Sequence, residues 1–215
     1  MEDPTTAAAP AKKAKRVLRV AAISGSLRRA SANTGLIRAA GKMCEESITG
    51  LQIDHVDISD LPLLNTDLEN TGGNPFPPAV EAFRDRVRDA DCFLFASPEY
   101  NYSISGPLKN ALDWGSRPPN VWADRAAAVV SASGKSGGKR MVYHVRQVGV
   151  FLDMHFVNKP EGFVQAHYPT SKFDGDGNLD DPETEEQLRK ILLALQAFAL
   201  RLILGKSAAE SGQGS

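Results

Sequence analysis

Val17-Leu18-Arg19-Val20-Ala21-Ala22-Ile23-Ser24-Gly25-Ser26-Leu27-Arg28-Arg29-Ala30-Ser31-Ala32-Asn33-Thr34 is the stretch from which the fold of this chain is read. Val17 to Ile23 is a branched, apolar run of strand character that breaks at Ser24-Gly25. From Asn33 onward Leu36, Ile37, Ala40 and Met43 recur on one side, which predicts a helix. A strand that turns through Gly, Ser and Arg into a helix start is built to hold an anion. The first turn of a helix leaves N–H groups unpaired and carries the positive end of the dipole. Ser26, Ser31, Asn33 and Thr34 add neutral donors, and the Arg28 guanidinium suits two phosphate oxygens at once. Leu27 stands where a dinucleotide signature needs its second glycine. Hydroxyls with an arginine therefore point to a terminal monophosphate over a bridging pyrophosphate. A polar turn that only caps a helix is the plainer alternative.

Two further segments have the same strand-to-loop form. Asp91-Cys92-Phe93-Leu94-Phe95-Ala96-Ser97 runs into Pro98-Glu99-Tyr100-Asn101-Tyr102-Ser103, and a helix follows with Pro107 in its first turn. Val129-Val130-Ser131-Ala132-Ser133-Gly134 is the third. Around them the pattern predicts strands at about Arg16–Ile23, Gln52–Ile58, from Cys92, Ala126–Ser131 and Gly162–Ala166. Helices are predicted from about Asn33, over Ala79–Arg88, and from near Pro182 with Leu188, Ile191, Leu192, Leu195, Ala199 and Leu202 on one stripe. Strands alternating with crossover helices imply an α/β fold, a doubly wound five-stranded parallel sheet with helices on both faces. The usual strand order for it is 2-1-3-4-5, with ligand held beyond the carboxyl ends of the strands at the switch point. The loops after strands one, three and four meet there. Pro62 to Pro78 is longer than an ordinary connection and reads as a covering or functional loop.

With 215 residues, the chain suits one sizeable α/β core. A balance of 25 basic and 26 acidic residues gives no field for nucleic acid or an anionic membrane surface. Cys44 and Cys92 fall on a helix and a buried strand without metal-type spacing, which suits a reducing, cytoplasmic setting. No apolar run is expected to reach the roughly 20 residues of a membrane span. Residues 1–15 and 206–215 read as disordered tails flanking a domain over 16–205. Gly134-Lys135-Ser136 lacks the upstream glycine of a triphosphate loop, since Val129 stands there. Leu179 occupies the position a calcium loop reserves for glycine, so the Asp174–Asn178 stretch reads as a capped turn. No metal site and no Ser/His/Asp constellation is predicted.

Gly25-Ser26-Leu27-Arg28 through Ser31 and Asn33, together with Pro98-Glu99-Tyr100-Asn101 through Pro107-Leu108-Lys109-Asn110-Ala111 and Asp113-Trp114, closely resemble the NAD(P)H-dependent FMN reductase family of flavodoxin-like proteins. The first motif matches at every fixed position. The second departs at Ser105, where the family usually has proline, and a slightly altered start to the helix is expected there with flavin binding kept. Phe173 to Leu179 is similar to the loop before the last helix of the family. The resemblance spans about Arg16 to Gly205, and in loop composition is strongest toward plant NAD(P)H:quinone oxidoreductases and bacterial quinone and chromate reductases.

The resemblance implies FMN as cofactor, NADPH or NADH as co-substrate, and two-electron reduction of a quinone by ping-pong hydride transfer through flavin N5. It implies Ser26, Arg28, Ser31, Asn33 and Thr34 on the flavin phosphate. Pro98, Glu99, Tyr100 and Asn101 would wrap the ring, and Ser133 and Gly134 would meet its polar rim, with no side-chain nucleophile. Glu99 reads equally well as a structural anion pairing with a neighbouring subunit. A homodimer or homotetramer is implied, with Trp114, Arg146, Gln147 and Phe151 as interface candidates; Trp114 and Phe151 read equally as core. Arg29, Arg117 and Lys135 are candidates for the phosphate that separates NADPH from NADH. A non-enzymatic electron carrier or redox sensor, or a reductase of azo dye or chromate, stays open as an alternative.

Overall fold

The structure, a computed structural model, describes residues 16–70, 72–73 and 75–212. The tail expected over 1–15 lies outside them. Five parallel strands carry the fold: β1 (Leu18–Ser24), β2 (Leu51–His55), β3 (Cys92–Ala96), β6 (Arg125–Ser133) and β8 (Gly162–Gln165). A sixth, β7 (Met154–Phe156), and a small antiparallel hairpin, β4 (Glu99–Tyr100) with β5 (Ser103–Ile104), complete the strands. The helices are α1 (Ala32–Glu46), α2 (Pro78–Arg88), α3 (Gly106–Ser116), α4 (Lys139–Phe151) and α5 (Pro182–Gly212).

The sheet runs β2-β1-β3-β6, and β6 then pairs with two short strands in place of one. β7 pairs with Arg125–Ala127 and β8 with Val130–Ser133. The expected order 2-1-3-4-5 therefore holds, with the fifth place shared by two strands. Pro160 lies between them and has no N–H to continue a ladder. β2 stops at His55, short of the expected Ile58, because the Asp57 carboxylate accepts from the Ser59 N–H and hydroxyl and turns the chain.

The inner strands of the parallel sheet are covered on both faces, and β3 is buried along its whole length. Cys92, Leu94 and Ala96 face the layer of α1 and α5, where Leu36, Ile37, Leu188, Leu192 and Leu195 are buried. Phe93 and Phe95 face the opposite layer, against Trp122, Leu108, Leu112 and Val145. Trp122 sits edge-on to Phe93 at 5.1 Å between centroids, and its indole N–H donates to the Leu112 carbonyl at 2.9 Å. Burial pushes the Cys92 thiol up to about 12 and the Cys44 thiol up to about 11.

Three further expectations meet the structure here. α5 runs on to Gly212, so 206–212 is helix in place of the expected tail; Lys206, Ala208 and Ala209 are good helix formers even where nothing apolar signals burial. α5 is also long and apolar enough to cross a membrane by length and composition alone, its most apolar 18 residues having a mean hydropathy of 1.6, although no such segment is expected from the sequence. Its stripe of Leu188, Ile191, Leu192, Leu195 and Ala199 is buried against the sheet, as in a core helix. Finally, the segment after β2 is a covering loop: the Pro62 carbonyl accepts from Asn110 at 2.8 Å and from the Trp114 indole at 2.7 Å. Trp114 is fully buried there beside Phe76, which removes it as an interface residue. Arg84, also fully buried, donates to the carbonyls of Trp114, Arg117 and Pro119 and so closes the carboxyl end of α3.

Candidate active site

The loops after β1, β3 and β6 converge on one cavity of about 230 Å3 at the carboxyl edge of the sheet. Ser26, Arg28, Ser31, Ala32 and Asn33 line one end, and Pro98, Glu99, Tyr100, Ser133 and Gly134 the other. Ala132, Ala166 and His167 complete the wall. His167 follows β8, and the rule that placed ligand beyond strands one, three and four points to its loop as well. Thr34 and Asn101, expected in the site, are outside the cavity. The Thr34 hydroxyl meets Ser24 Oγ at 2.9 Å, pinning α1 to β1. Asn101 is in the left-handed region with φ 50°, at the tip of the β4-β5 hairpin beside Tyr102 at φ 68°. Two positive φ values in a two-residue turn suit the right-handed twist of a hairpin, and asparagine tolerates the conformation better than tyrosine.

At the anion end, Ser31 caps α1 and its hydroxyl accepts from the Thr34 N–H at 3.4 Å. Ser26 is half-buried and Arg28 exposed. Among the described residues the Arg28 guanidinium has no ion-pair partner. Asn33 differs from its expected role. Its buried amide accepts from the Ala132 N–H and donates to the Ala132 carbonyl, each at 2.9 Å, so the side chain ties α1 to β6 and leaves only backbone toward an anion. Behind this loop lies the turn at 173–179. An added Cβ on Gly177 would meet Ala30 C and O at 2.8 Å, and one on Gly35 would meet the Gly177 carbonyl at 1.8 Å. Arg38 donates to Asn178 at 2.8 Å and to the Asp176 carbonyl at 3.2 Å, while the Asp174 carboxylate accepts from the Asp176 and Asn178 N–H groups. The turn is a backstop for Ala30-Ser31.

At the other end, serine hydroxyls fasten the loops together. Ser105 caps α3 and donates to the Gly25 carbonyl at 2.7 Å. Ser97 Oγ lies 3.2 Å from Ser105 Oγ, and Ser131 donates to the Ser97 carbonyl at 2.7 Å. Ser133 accepts from the Glu99 N–H at 2.8 Å. Ser105, the one departure from the family motif, thus joins the start of α3 to the anion loop. Glu99 forms its bonds within the chain. Its nearly buried carboxylate, 6% exposed, accepts from the N–H groups of Arg140 and Met141, from Ser136 and from the Arg140 guanidinium. Gly138, ahead of α4, has no side chain with which to cap, and Glu99 supplies the cap from another loop. The Arg140 guanidinium stacks 4.0 Å from the Tyr102 ring, and Ser103 bonds His144 at 2.9 Å, holding the hairpin on α4.

A doubly wound sheet with a helix start, a serine and an unpaired arginine at its switch point, facing a proline-tyrosine loop and a glycine, defines a flavodoxin-like flavin protein. The profile of the NADPH-dependent FMN reductase family matches residues 18–168. The chain belongs to that family. It is 77% identical over 187 residues to an Oryza sativa subsp. japonica protein called "Probable NADPH:quinone oxidoreductase 2", covering 87% of this chain and 91% of the relative. Identity to the NADPH:quinone oxidoreductase of Arabidopsis thaliana is 61% over 188 residues, 87% of this chain and 95% of the other. The solved structure of FerB, a flavoenzyme NAD(P)H:(acceptor) oxidoreductase from Paracoccus denitrificans, superposes with a TM-score of 0.74 at 30% identity, covering 86% and 98% of the two chains.

The residues present fit FMN. The anion end offers an unpaired cation, a hydroxyl and a helix start, the donor set of a monophosphate. At the other end an added Cβ on Gly134 would meet nothing within 4 Å, so backbone stands open toward a planar ring beside Pro98 and Tyr100.

Proposed function

We propose that the chain is an FMN-dependent NAD(P)H:quinone oxidoreductase, reducing quinones by two electrons. The observation that carries this is the meeting of the three loops in one cavity, cationic at one end and open backbone beside an aromatic at the other. The names of relatives 61–77% identical support the donor and the acceptor. FMN, when bound, supplies the hydride acceptor and donor at N5. The chain does the rest by placement. Ser26, Arg28 and the backbone at Ser31–Asn33 hold the phosphate. Pro98 and Tyr100 border the ring, with the exposed Tyr100 ring offering a surface on which a flat acceptor stacks. Ser133 and Glu99 fix the two ring-side loops against each other. No side chain acts as nucleophile.

We further propose a homodimer or homotetramer, assembled through the outer end of α4. Val150 and Phe151 are 80% and 87% exposed there, a costly pair to leave in water. Arg146, a candidate for the same surface, is instead held inward by the Val157 carbonyl and Asn158, both at 2.8 Å. A cytoplasmic location is proposed on the two free thiols.

Anaerobic stopped-flow spectroscopy tests the activity. Bound flavin bleached by NADPH and fully reoxidised by a benzoquinone is the expected result. Bound flavin that NADPH leaves oxidised would identify a carrier or sensor instead, and a protein that takes up no FMN would overturn both.

A further inference from the structure

A second groove, of about 830 Å3, opens beside the flavin cavity. The loop that supplies Ser133 and Gly134 to the cavity supplies Lys135, Ser136, Gly137 and Lys139 to the groove, and Gln165 lines it next to Ala166 and His167 of the cavity. Gln165 donates to the Lys135 carbonyl at 2.6 Å, which fixes the shared wall. The cavity and the groove therefore lie on neighbouring stretches of the same two loops.

The groove is rich in lysine, and the charges are unevenly used. Lys159 pairs with Glu161 at 3.1 Å, Lys172 with Asp181 at 2.9 Å and Lys190 with Glu186 at 3.7 Å. Lys135 and Lys139 have no carboxylate partner among the described residues. Their ammonium groups rest over rings: Lys135 is 5.4 Å from the Tyr168 centroid and Lys139 is 5.6 Å from the Phe163 centroid. Both are exposed, and both line the groove. Of the other candidate cations for a nicotinamide phosphate, Arg117 is paired with Glu69 at 2.5 Å, and Arg29 does not line the groove.

We propose that Lys135 and Lys139 read the 2′-phosphate of NADPH, with the groove holding the adenosine half of the dinucleotide. The proposal rests on the NADPH-driven activity proposed above. NADH and NADPH differ by that one group, a dianion near neutral pH, so the two unpaired ammonium groups discriminate by charge alone. Lysine suits the task because a flexible point charge follows a phosphate whose position varies as the nicotinamide comes and goes.

The Lys135→Ala/Lys139→Ala variant tests this in two ways. In calorimetry, 2′,5′-ADP binds the unaltered holoprotein, and its affinity falls roughly 10-fold in the variant. Adenosine 5′-monophosphate binds both alike. In steady-state assays the NADPH-to-NADH ratio of kcat/KM falls by a similar factor, and raising the salt concentration removes most of that difference. Equal losses for NADPH and NADH, or unchanged 2′,5′-ADP affinity, would overturn the assignment. Inorganic phosphate that binds as tightly as 2′,5′-ADP would also overturn it, showing a plain anion site. The calorimetric result does not depend on turnover, so 2′,5′-ADP binding without flavin reduction would sink the activity and leave the groove standing.

Discussion

Gly177→Ala is expected to weaken both folding and flavin binding, although Gly177 never enters the cavity. Gly177 has φ 77°, and an alanine held there costs about 1–2 kcal/mol in backbone conformation. Its Cβ would stand 2.8 Å from Ala30 C and O and 2.9 Å from Ser31 C. These are backbone atoms, so the clash is relieved only by moving the anion loop or the turn, an overpacking cost of about 1–3 kcal/mol. Together the two effects amount to about 2–5 kcal/mol. If about 1.4 kcal/mol of that is expressed as displacement of Ala30-Ser31, the Kd for FMN rises roughly tenfold. Urea unfolding of the apoprotein gives the first quantity, and quenching of FMN fluorescence gives the second. Gly175→Ala is the control in the same turn. Its Cβ would meet nothing within 4 Å, and both measurements should stay close to those of the unaltered protein. A Gly177→Ala protein with unchanged FMN affinity would refute the backstop role, and unchanged stability as well would refute the steric reasoning.

Glu99→Gln removes the charge that caps α4, and a loss of about 1–2 kcal/mol in urea is expected, with weaker FMN binding as the two ring-side loops loosen. Unchanged stability would show that the carboxylate is replaceable by any acceptor. Ser105→Ala deprives the Gly25 carbonyl of its hydroxyl donor and α3 of its cap, and should cost about 1–3 kcal/mol on thermal or chemical unfolding. Hydrogen bonds from Thr184 and then Lys172 hold the Asp181 carboxyl below the usual carboxylate range. Because the folded value lies below the unfolded one, the stabilisation is complete above the ordinary value and is lost as pH falls through the depressed one. The stability gap between the unaltered protein and Asp181→Asn should therefore be constant near neutrality and close below about pH 4. A gap that persists in strong acid would contradict the assignment.

Local backbone signals account for most of what could be read in advance. Gly25, the Ser31 cap and Pro107 mark where strands end and helices begin, and those boundaries place the three loops of the site. What escaped the sequence depends on distant partners. Asn33 looks like a phosphate donor because nothing near it reveals that Ala132, on a strand 99 residues away, takes both ends of its amide. Glu99 looks like a flavin or interface residue because α4, which it caps, begins 40 residues later, just after a glycine that cannot cap it. Thr34 fails for the same reason on a smaller scale, turning to Ser24 across the strand–helix junction. β7 has three residues, Met154, His155 and Phe156, too few to show a period of two.

The division of the fifth strand has a consequence for what this edge of the sheet offers to another chain. A sheet edge offers a row of open N–H and C=O groups to any neighbour, and a long flat edge invites pairing without limit. Beyond β6 that edge is two pieces of three and four residues, interrupted around a proline. Neither piece is long enough to template a foreign strand. Strand addition at that edge is therefore disfavoured, and with it open-ended growth by backbone pairing from this side.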